Sequence, residues 1–220
     1  TLTNFSEASV VTPWITSGNL SLAPQSPIAI TNLSFAYTLP AMSIVSFAGL
    51  GTNYPPALTA VPNQIVNPGV TVNATNKATD VDAPPQALTF NLVSAPAGAS
   101  LNASTGIFTW RPPVSAAGTT NLVIVQVANN GTPALSATNS FNVIVNPLPP
   151  PSISSIVVAG QRITLTAEGT QGPDYTLQAS TNLINWQSVL TTNSPALPAT
   201  LLYTNSQPGL DCFFRLELGP

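Results

Sequence analysis

Twenty-three prolines punctuate 220 residues, and proline both lacks a backbone donor and breaks a helix interior. A chain interrupted this often is confined to short elements, with its prolines at strand ends, edges and turns. The segments between them suit strands. They are rich in Val, Ile, Thr and Phe, alternate apolar with polar residues, and stop at Gly, Asn or Pro. Examples are Ile28–Ile30, Ser34–Leu39, Leu88–Leu92, Leu122–Val127, Ser140–Val145, Arg162–Ala167, Tyr175–Ala179 and Phe213–Leu218. Strong helix formers with charge are almost absent, and few stretches hold apolar residues at helical spacing. The expected class is therefore all-β, built as tandem β-sandwich modules of Ig-like and fibronectin-like kind.

Charge is the second constraint. Charged residues make up 5% of the chain, the net charge is −3, and hydrophobic residues make up 44%. This is not the highly charged, apolar-poor composition of a disordered chain, so the sequence is expected to fold. Only Lys77, Arg111, Arg162 and Arg215 are cationic. Four scattered cations cannot supply the basic face that displaces counterions from phosphates, which excludes nucleic acid as a partner. There is no histidine, so Ser-His-Asp and Cys-His centres and histidine-based zinc sites cannot be assembled from these residues. The lone cysteine, Cys212, cannot form an internal disulfide and is expected as a buried thiol beside Phe213 and Phe214. No apolar run approaches the ~18 residues of a membrane span. Thr1 has the look of an interior residue, and the chain is expected to be a piece of something longer or a processed product.

Two proline clusters, Asn53-Tyr54-Pro55-Pro56 and Asn146 through Pro151, divide the chain into stretches 1–50, 54–147 and 152–220. Residues 57–146 resemble the Ig-like, cadherin-like modules repeated in bacterial extracellular proteins. The resemblance rests on Ala78-Thr79-Asp80-Val81-Asp82, Leu88–Leu92, Ala95–Leu101, Thr105-Gly106-Ile107-Phe108-Thr109-Trp110-Arg111-Pro112, Gly118, Leu122–Val127, Asn130–Thr138 and Phe141–Val145. Residues 153–218 resemble a C-terminal module common in secreted proteins of Verrucomicrobia and related bacteria, through Ile163-Thr164-Leu165, Tyr175–Leu183, Asn185-Trp186 and Phe213–Leu216. That resemblance implies a small fibronectin-like sandwich in which the tyrosine-led strand, the tryptophan and the closing aromatic-arginine strand share one core. Residues 1–48 are similar to the closing strands of β-sandwiches that flank the catalytic barrels of glycoside hydrolase families 30, 39, 44 and 51. The most specific part is Phe35-Ala36-Tyr37-Thr38-Leu39-Pro40-Ala41-Met42-Ser43 followed by Phe47. About four strands are expected here, too few for a closed sandwich, so that resemblance implies further strands and the barrel upstream of Thr1.

A glycosidase needs two carboxyl groups facing one cleft. The acidic residues are Glu7, Asp80, Asp82, Glu168, Asp174, Asp211 and Glu217, and only Asp80 and Asp82 lie close together. No catalytic residue is therefore assigned. Asp80-x-Asp82 has two readings, an oxygen-ligand site for Ca²⁺ or a solvated turn. In cadherin-like modules such a pair is often joined by a later aspartate, whose place is taken here by Asn129 and Asn130; neutral oxygens there imply weak binding. Calcium is the single cofactor considered. Aromatic faces stack on sugar rings, and of Trp14, Trp110 and Trp186 the first, after Pro13, is the candidate for glycan contact. Trp110 and Trp186 are expected as core or corner residues.

These readings converge on the non-catalytic C-terminal region of a secreted, extracellular bacterial glycoside hydrolase acting on plant cell-wall polysaccharide of xylan or β-glucan type. Its partners would be an upstream catalytic domain of the same polypeptide and the polysaccharide. The alternative is a stalk or adhesin segment of a bacterial cell-surface protein.

Overall fold

Alternation of apolar and polar side chains becomes a succession of strands joined by turns within residues 8–31, 34–51, 53–82, 86–205 and 211–219, which are described in a computed structural model. Glu7 lies outside the described residues. The first stretch holds β1 (Ala8–Thr16), β2 (Ala23–Pro24), β3 (Ile28–Ala29) and β4 (Ile44–Gly51). The middle stretch holds β5 (Ala57–Leu58), β6 (Gln64–Val66), β7 (Val72–Thr75), β8 (Ala78–Thr79), β9 (Leu88–Ser94), β10 (Ser100–Leu101), β11 (Ile107–Trp110), β12 (Thr120–Asn129) and β13 (Ser136–Val145). The last holds β14 (Ser152–Ala159), β15 (Arg162–Glu168), β16 (Asp174–Ser180), β17 (Gln187–Thr192), β18 (Ala199–Thr204) and β19 (Phe213–Gly219). A single 3₁₀ turn at Val114–Ala116 is the one helical element among the described residues, and no helix there is long and apolar enough to cross a membrane.

The chain divides into two compact units. The first comprises Thr1–Leu58, Ala78–Thr89 and Val127–Ala137, and the second Thr59–Lys77, Phe90–Gln126 and Thr138–Pro220. In the first unit β1 is central, pairing with β2, β3 and β4. Val11, Pro13 and Ile15 are buried on one face, and the register Pro13↔Phe47 and Ile15↔Val45 brings β4 side chains to the same face. Phe47 meets Phe35 at 5.0 Å and Tyr37 at 5.4 Å between ring centroids. The strand expected over Ser34–Leu39 does not form. One isolated bridge joins Thr31 to Ser34, and the two aromatics cover Phe47 from irregular backbone that leads into Pro40 and a turn at Met42 with φ 55°. Here ring packing rather than a hydrogen-bonded ladder holds the segment. In the same unit the ribbon β5–β8 pairs antiparallel through Ala57↔Thr79 and Leu58↔Ala78.

Most of the second unit is two sandwiches. In one, the sheet β6-β13-β12-β9 faces the sheet β10-β11-β7. Alternate residues Val123 and Val125 on β12, and Phe141, Val143 and Val145 on β13, are buried together with Phe90 of the same sheet, as are Phe108, Trp110, Val72 and Ala74 of the other. Phe108 from one sheet meets Phe141 from the other edge-on at 5.5 Å, a favoured aromatic geometry. In the other sandwich, β14-β15-β18 and β17-β16-β19 enclose Ile163, Leu165, Ala167, Leu177, Ala199 and Leu201. Tyr203 and Phe214 close this core edge-on at 5.4 Å, and Tyr175, fully buried, donates its hydroxyl proton to the Thr170 carbonyl at 2.8 Å.

Trp186 departs from its expected place in that core. The register Arg215↔Gln178 and Leu216↔Leu177 sends Arg215 to the outer face when Leu216 points inward, because side chains alternate across a strand. The Arg215 guanidinium covers the Trp186 ring there, 4.3 Å from its centroid, and donates from Nε to Gln178 Oε1 at 2.7 Å. Cys212 likewise is half-buried rather than fully enclosed; burial pushes its thiol pKa up, while the hydrogen bond with Tyr203 opposes the rise.

Candidate functional site

Antiparallel pairing of β5 with β8 carries Asn53 and Tyr54, which precede β5, past Asp80 and Asp82, which follow β8. Asn129, at the end of β12, enters the same place, and all five residues belong to the first unit. Asp82 and Asn129 are 7% and 4% exposed, so their polar groups must be satisfied internally. Asp82 Oδ1 accepts the Tyr54 backbone N–H at 2.9 Å, and Asp82 Oδ2 accepts from Gln86 Nε2 at 3.0 Å. Asp80 Oδ1 accepts the Asp82 N–H at 2.9 Å. That bond holds the Asp80 carboxyl below its usual pKa against the opposing effect of burial, with help from the Asn129 amide. Asp80 therefore brings its negative charge into the folded cluster.

Asn129 stands at the centre. Its Nδ2 lies 2.8 Å from Asn53 Oδ1, 2.8 Å from the Tyr54 carbonyl, 3.1 Å from Asp80 Oδ2 and 3.5 Å from Asp82 Oδ2. Four oxygens surround a nitrogen that carries two protons. Its Oδ1 accepts the Leu135 N–H at 2.9 Å, which fixes the amide with nitrogen toward the carboxylates. The expectation that Asn129 and Asn130 offer oxygens to a cation is thus corrected. Asn129 presents its nitrogen, and Asn130 Oδ1 is taken by the Ala87 N–H at 2.8 Å. Gly131 completes the turn because a Cβ there would fall 2.4 Å from the Asn53 amide.

The oxygens gathered here, two carboxylates, one amide oxygen and one carbonyl, are of the kind a hard cation takes, and in this arrangement the Asn129 NH2 group is what they face. Gln86 turns its nitrogen to the same group, Nε2 donating to Asn53 Oδ1 and Asp82 Oδ2 at 3.0 Å each, while its buried Oε1 has no hydrogen-bond partner. No group of three or more His, Cys, Asp or Glu side chains capable of holding a metal occurs among the described residues, so any such site is lean in charge. Asn53, Tyr54 and Gln86 are the members that sequence reasoning missed. Asn53 and Tyr54 read as a proline-rich joint that offers at most the Tyr54 ring to a sugar, and the only signal for this cluster was a polar pair standing before Pro55.

The tryptophans are placed separately. Trp14 is half-buried on β1, opposite Ser46 and Pro24, on the face away from Val11 and Ile15. Trp110 is 3% exposed, its indole N–H donating to the Ala97 carbonyl at 3.0 Å.

The two facing sheets with alternate inward residues define a β-sandwich, and residues 52–146 match the family model described as "Putative Ig domain". No curated protein matches the chain. Among solved structures, it is similar to a nucleoside hydrolase-related hypothetical protein from Saccharophagus degradans associated with carbohydrate metabolism. Identity is 19% over 44% of this chain and 26% of that one, with TM-score 0.37. It is also similar to the human desmocollin-1 ectodomain (14% identity, 94% of this chain, 49% of that one, TM-score 0.37). A third is human CDH23 EC21-23 (16% identity, 80% and 67%, TM-score 0.39). The chain thus spans about a quarter of the first of these and about half of the second.

Proposed function

We propose that this chain is a non-catalytic accessory region of a secreted bacterial glycoside hydrolase, with an Ig-like spacer and a fibronectin-like end module serving an upstream catalytic domain of the same polypeptide. One observation carries the non-catalytic reading. The one pair of carboxylates close in sequence, Asp80 and Asp82, is engaged with Tyr54, Gln86 and Asn129, whereas a glycosidase must aim both carboxyls at a substrate cleft. The hydrolase and its plant cell-wall substrate are supported by the likeness of residues 35–47 to barrel-flanking sandwiches. Purified residues 1–220 should release no reducing sugar from xylan or β-glucan; release would overturn the non-catalytic reading.

The Asp80–Asp82 cluster is, on this proposal, a weak calcium site that the Ig-like module does not need in order to fold. Asp80, Asp82, Asn53 Oδ1 and the Tyr54 carbonyl would hold the ion. The Asn129 amide sits against the same oxygens, so it would have to turn or yield. Calcium at ten times its dissociation constant would add about 1.4 kcal/mol of stability. For a domain of this size that raises Tm by roughly 6–11 °C. Melts in calcium and in chelator should differ by such a margin, and identical curves would reject the site.

A further inference from the structure

The second unit contains a joint between its two sandwiches that is far more elaborate than a proline linker requires. Arg111 follows the buried Trp110, and the carbonyl of the next residue, Pro112, accepts the Gly69 N–H at 2.7 Å. Held between these anchors, Arg111 donates from Nε to the Gly69 carbonyl at 2.7 Å and from Nη2 to Asp174 Oδ1 at 2.9 Å and Ser194 Oγ at 3.2 Å. Asp174 and Ser194 belong to the C-terminal sandwich, and the Ser194 N–H donates to the same Asp174 oxygen at 2.9 Å. Asn67 Nδ2 reaches the Gln171 carbonyl at 3.1 Å.

The backbones also touch. Gly69, at φ +77°, lies so close to Gly172 that a Cβ would fall 2.3 Å from the Gly172 carbonyl oxygen, and a Cβ on Gly172, at φ +133°, would fall 2.4 Å from the Pro68 oxygen. An exposed ion pair alone contributes little. Here one guanidinium bridges three acceptors across a contact that only glycine permits at both sides.

We infer that this joint is an interaction surface built to dock the C-terminal sandwich onto the Ig-like one, so that the two tumble as one body. The receiving face is Gly172, Asp174 and Ser194, and the docking elements are Gly69 and Arg111. A pure linker role for Asn146–Pro151 would instead let the sandwiches reorient independently.

Residual dipolar couplings on the full chain test this. In the native chain the two sandwiches should fit one alignment tensor. Gly69→Ala should split the fit into two tensors by forcing the contact open. Gly98→Ala is the matched control, since Gly98 has φ +80° and nothing within 4 Å of its would-be Cβ; it should retain one tensor. Arg111→Gln, which adds no clash, should lower the agreement of the common fit while leaving each sandwich's internal couplings intact. Separate tensors in the native chain, or the same outcome for Gly69→Ala and Gly98→Ala, would overturn the inference.

Discussion

Phe108→Ala should lower the stability of the Ig-like sandwich by about 3–5 kcal/mol, the usual range for removing a buried aromatic ring. Phe108 is fully buried and packs edge-on against Phe141 from the facing sheet, so truncation opens a void between the layers and also removes the ring pair. β-strands on both sides, β10 and β7, hold the β11 backbone in register and limit collapse into the void. Since whole domains are stable by only about 5–15 kcal/mol, the loss should be plain in urea denaturation as a lowered midpoint at nearly constant slope. A shift worth less than about 1 kcal/mol would mean that the two sheets do not share this core.

Tyr175→Ala should cost the C-terminal sandwich a similar amount, about 3–5 kcal/mol, and Tyr175→Phe divides that figure. The phenylalanine variant keeps the ring in the core and loses only the bond to the Thr170 carbonyl, for which about 1–2 kcal/mol is expected. Gly169 makes room for the hydroxyl, because a Cβ there would stand 2.3 Å from it. Tm measured on both variants is the check. If Tyr175→Phe proved as damaging as Tyr175→Ala, the hydroxyl and not the ring would dominate this corner.

How much of this was legible in the sequence depends on the distance over which each feature is made. Val123, Val125, Phe141, Val143 and Val145 are buried at every second position, as their alternation with polar residues requires. Asp80 and Asp82 were visible as a pair because a single residue, Val81, separates them. Their partners were not, since Asn129 reaches Asn53 across 76 positions and its orientation depends on one N–H of Leu135. The stack of Arg215 on Trp186 was hidden for a related reason. It needs the register of β19 on β16, which a single strand's pattern does not specify. Phe35 and Tyr37 show the opposite failure: an alternating segment with strand composition gives its rings to Phe47 and takes no ladder.

The three indoles have a practical consequence, since each of the regions they occupy carries its own optical reporter. Trp110 is shut away from water with its N–H bound to a carbonyl. Trp186 lies beneath a guanidinium, and Trp14 is half-buried on the N-terminal sheet. Emission from Trp110 should be the bluest and move red only when the Ig-like core admits solvent. Variants retaining one indole apiece would let a single unfolding curve be resolved into its parts without any attached dye.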